Sequence, residues 1–220
     1  MNESVIQAIA VYAIPVLFAI TLHEVAHGWA ARYFGDHTAE LAGRLSLNPL
    51  RHVDPLGTIA MPLALYFMTS GAFVFGFAKP VPVNIHNLRH AKQNMLWVAF
   101  AGPASNIVMA LAWMLFAIAL MAFGVREAFL MRAAEAGVAV NFVMAALNLF
   151  PLPPLDGGRM LASVLPLAQT NMLLRFEPYG FVVVLVLAAT HVLDYWMRPI
   201  LNVMHASLQW LVSPLVSLFS

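Results

Sequence analysis

Long apolar runs broken by short polar connections dominate this chain. Runs at about 4–34, 94–123, 134–150 and 178–197 are each long enough, or nearly so, to be read as membrane-crossing helices. A further apolar segment, 57–78, contains Gly57, Pro62, Gly71 and Gly76, which suit a broken or re-entrant hairpin better than a straight span. A last stretch, 199–219, mixes Trp210 and Leu211 with Asn202, His205, Gln209 and Pro214, and reads as interfacial or as a weak final span. The polar connections fall at 35–56, 79–93, 124–133 and 151–177. None has the roughly 50 residues that a folded soluble domain needs. Within 35–56, the alternation Ala42-Gly43-Arg44-Leu45-Ser46-Leu47-Asn48-Pro49 predicts a small strand pair near the membrane face. The expected fold is therefore an all-α polytopic membrane protein. It has about four to six transmembrane helices, a re-entrant segment and a small membrane-associated β element, in one domain over 1–220.

Composition agrees. The chain is 62% hydrophobic and only 10% charged, against about 25% charged in a soluble domain, and its mean hydropathy is +0.81. A formal charge of +1 gives no reason to expect a nucleic-acid partner; the expected surroundings are a lipid bilayer. Residues 1–4 carry Glu3 and no Lys or Arg, which does not resemble a signal peptide. With no cysteine, disulfides and thiolate metal sites are excluded, so any metal is held by His, Asp or Glu.

The chemistry begins inside the first apolar run, at His23-Glu24-Val25-Ala26-His27. Residues four apart share a helical face, so His23 and His27 can point at one metal. Glu24, next to the first ligand, is placed to take a proton from a metal-bound water. Ionisable groups in a span are costly, about 2.5–3.5 kcal/mol for a central charge on insertion scales, so they usually serve a site. A second i, i+4 pair, His86 and His90, has Asn87 where a glutamate would stand and lies in a polar loop; it reads as a pair of ordinary interfacial histidines. His52 and Asp54, in a turn between Pro49 and Pro55, read as a loop hydrogen-bonder and a helix cap.

A catalytic zinc has three protein ligands and an open position. The best third candidate is Asp156, in Asn148-Leu149-Phe150-Pro151-Leu152-Pro153-Pro154-Leu155-Asp156-Gly157-Gly158, where prolines end the preceding helix. On this segment alone a tight Asp-Gly turn is an equal reading; the need for a third ligand near the membrane favours Asp156. Two histidines and a carboxylate suit one Zn2+, although iron and manganese accept the same set. If Asp156 meets the histidines, loops 35–56 and 79–93 share its side of the membrane and 57–78 must return to the face it enters. That side then collects Arg32, Arg44, Arg51, Lys79, Arg89, Lys92, Arg159 and Arg175, and the other only Arg126, Arg132 and Arg198. By the positive-inside rule the metal lies towards the cytoplasmic face.

With these residues in view, the chain resembles the site-2 protease family of intramembrane zinc metalloproteases (peptidase family M50), over roughly His23 to Gly158. HExxH is shared with many zinc enzymes; its combination with the Asn148–Gly158 segment is far more specific. Gly102-Pro103-Ala104-Ser105-Asn106 is similar to the family's Gly-Pro-x-x-Asn segment. Asn48 to Pro55 and Lys79-Pro80-Val81-Pro82-Val83 are similar to its compact prokaryotic branch, without PDZ or CBS domains. The resemblance implies His23, His27 and Asp156 as zinc ligands and Glu24 as catalytic base. It also implies Asn148 as a residue that orients substrate or stabilises the attacked carbonyl, and Asn106 as a lining residue. The expected activity is hydrolysis of peptide bonds within or near transmembrane segments of membrane proteins or peptides, in a prokaryotic inner membrane. The rival readings are a metal transporter and a non-catalytic metal-binding membrane protein. A transporter predicts polar groups spread along a pore, whereas here they cluster at one depth; a scaffold has no need of Glu24.

Overall fold

The computed structural model describes residues 5–68, 76 and 79–217, and all regular secondary structure among them is helical. In chain order the helices are α1 (Val5–Tyr33), α2 (Thr38–Leu41), α3 (Met61–Met68), α4 (Ala91–Ala122), α5 (Ala128–Asn148), α6 (Asp156–Val164), α7 (Leu167–Arg175), α8 (Glu177–Ala189) and α9 (Val192–Val216). Three of them, α1, α4 and α5, are long and apolar enough to cross a bilayer, and a fourth span arises if α7 and α8, bent by 65°, are taken as one broken helix. Among the described residues the candidate spans thus number three or four, fewer than the four to six expected.

Helix α4 is the hub, packing against α1, α5 and α6. In lipid there is little hydrophobic drive between helices, so close backbone approach through small residues decides the packing. Ala19, Ala31, Ala99, Ala110, Ala134 and Ala145 are buried at these contacts. Gly137 of α5 seats the Trp113 ring of α4 so closely that an added Cβ would lie 2.2 Å from it. On the other side of α4 and α5, Ala110, Ile118, Val138 and Phe142 form a core with Leu208 and Val212 of α9. Large apolar side chains such as Phe18, Trp29, Val108 and Val143 face outward, as a lipid-facing surface requires.

Several boundaries differ from expectation, each for a local reason. No strand forms over 42–48. Gly43, at φ +65°, ends α2 by accepting the left-handed conformation, with its N–H on Glu40 O and that of Arg44 on Ala39 O. The carbonyls beyond are then taken by side chains rather than by a partner strand: Arg51 Nη1 donates to Gly43 O at 2.7 Å and the His52 ring Nε2 bonds Ser46 O at 2.8 Å. Helix α5 begins at Ala128 rather than 134, because Arg132 and Glu135 lie on its exposed side and do not interrupt it. The expected helix 178–197 is broken at His191, which stands at φ 59°; α8 ends before it and α9 runs on to Val216. The connection 151–177 holds two helices, α6 and α7. Of the segment 57–78, the described part is a π-helical turn, Pro55–Ala60, capped by Asp54 and continuing into α3. The expected return of this segment to its own face depends on residues 69–75, 77 and 78, which lie outside the described residues.

Candidate metal centre

Helix α1 sets His23 and His27 one turn apart with their rings edge to face, centroids 4.7 Å apart. Asp156 reaches them from the first residue of α6. The chain turns sharply between α5 and α6, and its backbone folds back so tightly that a Cβ on Gly157 would lie 2.3 Å from Leu149 O, and one on Gly158 2.1 Å from Pro153 N. Only glycine fits there, and this closeness brings Asp156 beneath α1. The third wall is α4: a Cβ on Gly102 would lie 2.4 Å from His27 Nε2 and 2.6 Å from His23 Cε1.

His23 Nε2 and His27 Nε2 stand 3.1 Å apart, and Asp156 Oδ2 lies 3.1 Å from the first and 3.3 Å from the second. All three residues are buried. The other ring nitrogens are committed. His27 Nδ1 donates to the backbone oxygen of Val98 at 2.7 Å, and His23 Nδ1 to Asn106 Oδ1 at 2.6 Å. A carbonyl oxygen only accepts, so each Nδ1 carries a proton, and each ring in its neutral form turns a bare Nε2 lone pair inward. Two such lone pairs and a carboxylate oxygen that has no hydrogen-bond donor converge on one point. Electron-rich atoms so placed repel one another unless a cation lies between them. About 3.3 Å is the edge of a tetrahedron around zinc with bonds of ~2.0–2.1 Å, so the observed separations fit that ion. The residues thus suit zinc on geometry, charge and tautomer together.

Glu24 stands beside this cluster and not in it. Its Oε2 accepts the Val81 N–H at 2.7 Å, from the extended segment that follows Lys79. Both Glu24 and the three cluster residues line a cavity of about 820 Å³. Along α1 the lining runs from Ile9 through Val16 and Ile20 to His27, about 27 Å at 1.5 Å per residue. Met144 and Asn148 of α5 and Val184 of α8 face it. The Asn148 side chain donates to Met144 O at 3.1 Å, so one of its two amide hydrogens is occupied. Asn106 is placed differently from the lining role expected of it. It is fully buried behind His23, away from the cavity, and its amide nitrogen donates to Asn141 Oδ1 at 2.9 Å. His86 and His90 are exposed and are not brought to this centre.

Sequence reasoning passed over Asn141, the Val98 carbonyl and the Val81 N–H. Asn141 alone carried a signal, as an amide in the middle of an apolar helix. The other two are backbone groups, invisible in a pattern of side chains.

Fold and site together define a helical membrane protein with a buried zinc-type His-His-Asp centre. Comparison with curated proteins names the family. The chain is 35% identical over 197 residues to Putative zinc metalloprotease YwhC of Bacillus subtilis, covering 86% of this chain and 84% of that protein. It is 31% identical over 187 residues to Putative zinc metalloprotease Rip2 of Mycolicibacterium smegmatis and 29% identical over 180 residues to Rip2 of Mycobacterium tuberculosis, covering 82% of this chain and 67% of each relative. The chain belongs to this zinc metalloprotease family. No family model matches it, and no solved structure matches it.

Proposed function

We propose that this chain is a site-2-type intramembrane protease, which hydrolyses peptide bonds within or near transmembrane segments of other membrane proteins. The observation that carries this reading is the long, mostly apolar cavity along α1, with His23, Glu24, His27 and Asp156 gathered towards its His27 end. A soluble substrate has no use for a largely apolar wall of about 17 Å from Ile9 to Ile20; a segment leaving the bilayer does. The charge distribution supports a reacting end that faces the cytoplasm.

In this mechanism His23, His27 and Asp156 would hold zinc, which when bound would acidify a water and polarise a carbonyl oxygen. Glu24 takes a proton from the attacking water and delivers it to the departing amide nitrogen as the C–N bond breaks. The Val81 N–H holds Oε2 of Glu24 and so aims Oε1. Asn148 keeps one amide hydrogen on Met144 O and turns the second to the substrate's carbonyl oxygen, where negative charge develops. The apolar walls hold the flanking substrate residues and keep bulk water out. The substrate unwinds locally, because a helical carbonyl is already hydrogen-bonded and shielded.

The test is cleavage of a panel of single-span substrates in liposomes by wild type and Glu24→Gln, with zinc measured on both. Cleavage inside the span by the wild type should fall at least 10²–10⁴-fold in the variant, the usual worth of general acid–base catalysis, with about one zinc retained in each. Full activity of Glu24→Gln would remove Glu24 as the base. Wild-type protein that purifies with zinc and cleaves no member of the panel would favour a non-catalytic metal protein.

A further inference from the structure

Behind His23 lies a chain of amides that crosses three helices. His23 Nδ1 meets Asn106 Oδ1 at 2.6 Å, Asn106 Nδ2 meets Asn141 Oδ1 at 2.9 Å, and Asn141 Nδ2 meets Gly137 O at 2.8 Å. Asn106 Nδ2 also faces Ala19 O at 3.4 Å. Both asparagines are 0% exposed, between α1, α4 and α5. An amide has two chemically different ends, so such a chain has a direction. The direction here is set where it terminates. Gly137 O is a backbone carbonyl and can only accept, so Asn141 must turn its NH₂ towards it and its oxygen towards Asn106. Asn106 must then turn its NH₂ towards Asn141 and Ala19 O, and its oxygen towards His23. An oxygen at that place keeps the proton of a neutral His23 on Nδ1 and leaves Nε2 bare. Reversing any one amide sets oxygen against oxygen or NH₂ against NH₂ in a dry interior, where unmatched groups are costly.

We infer that Asn141 is a positioning residue: through Asn106 it fixes the ring tautomer of His23, and with it the bare Nε2 that a metal requires. Its consequence for zinc rests on the metal site proposed above; its effect on the tautomer does not. His27 needs no such relay, because Val98 O, a backbone carbonyl, fixes its Nδ1 proton directly. The two histidines are therefore held by unlike devices, one backbone and one made of side chains. Only the second can be undone by a single substitution far from the metal.

The experiment compares full-length wild type, Asn141→Leu and Asn141→Ala, each alone and in an Asn106→Asp background. The His23 tautomer is read by ¹⁵N-histidine NMR on metal-free protein, assigned by difference against His23→Gln. Zinc affinity is read by chelator competition. Losing Asn141 should give His23 a mixture of tautomers and weaken zinc roughly tenfold, the low end for removal of a group that orients a ligand. In the Asn106→Asp background either carboxylate oxygen accepts from His23 Nδ1 whichever way the group turns, and Asn141 Oδ1 already faces an acceptor, so loss of Asn141 should leave the tautomer unmoved and should not weaken zinc further. A merely structural role would lower the melting temperature in both backgrounds and leave the tautomer unmoved, and that result would overturn the inference. So would unchanged tautomer and zinc affinity in both single variants. If wild type takes up no zinc at all, the protease reading fails, and the tautomer comparison alone decides the role of Asn141.

Discussion

Two aspartates are buried among the described residues, Asp36 at 0% exposed and Asp156 at 7%, and their surroundings are opposite. Asp36 lies just past the end of α1 and is saturated with donors. Thr38 N–H and hydroxyl and Asn87 Nδ2 reach Oδ1, and Asn84 N–H reaches Oδ2 at 2.6 Å. Burial alone would push its carboxyl up, but these donors outweigh it and hold the group below the usual carboxylate range. Asp156 has ring nitrogens at 3.1 and 3.3 Å and no hydrogen-bond donor for Oδ2. Burial of a carboxylate is therefore not itself the mark of a site. What separates the two is whether donors already satisfy the charge. Asp36 does architectural work: it ties the turn after α1 to the segment 79–87, the same segment whose Val81 N–H holds Glu24.

The largest break in the comparison should come from Asp156→Asn. One of three proposed ligands becomes a neutral amide, so zinc affinity should fall by more than the roughly 10–100-fold seen when only a ligand's outer partner is lost. Metal analysis after dialysis against a weak chelator reads this directly. A variant that kept a full equivalent of zinc would place the metal elsewhere.

Asp36→Asn should do the reverse, leaving zinc stoichiometry intact and lowering stability. An NH₂ group must then face the Asn84 N–H or the donors of Thr38 and Asn87, leaving a buried donor unmatched, at about 1–3 kcal/mol. Thermal melts in detergent with zinc content measured alongside would show it. An unchanged melting temperature would mean that the donors around Asp36 find water instead.

How far this contrast could be read in the sequence follows from the range of each interaction. That His23 and His27 share a face is set by helix geometry over four residues, and α1 and α4 were legible to within a few residues from apolar length alone. The proximity of Asp156 could be approached only by reasoning that two histidines need a third partner. Asp36 drew no notice, because its partners Asn84 and Asn87 lie 48 and 51 residues away and belong to no pattern. Asn106 was expected to line the site and instead stands behind His23, since the face of α4 that meets α1 is decided by the close approach at Gly102. The alternation over 42–48 suggested strands, but alternation cannot show that Arg51 and His52 would take the carbonyls a partner strand would have used.

The finest test of the comparison is pH. A carboxyl held below its ordinary value in the folded protein stabilises the fold fully above the unfolded value, near 3.9, and loses that contribution as pH falls through the folded one. Most other carboxylates titrate alike in wild type and Asp36→Asn, so the difference between the two proteins isolates Asp36. The gap in stability should be flat from about pH 7 to pH 5 and should narrow below about pH 4, as protonation turns Asp36 into a neutral group resembling the asparagine. Melting both proteins across that range with chelator present removes zinc from the account. A gap that held constant to pH 3 would mean that Asp36 contributes through shape and hydrogen-bond count rather than through charge. The distinction between a saturated and an unsaturated carboxylate would then rest on Asp156 alone.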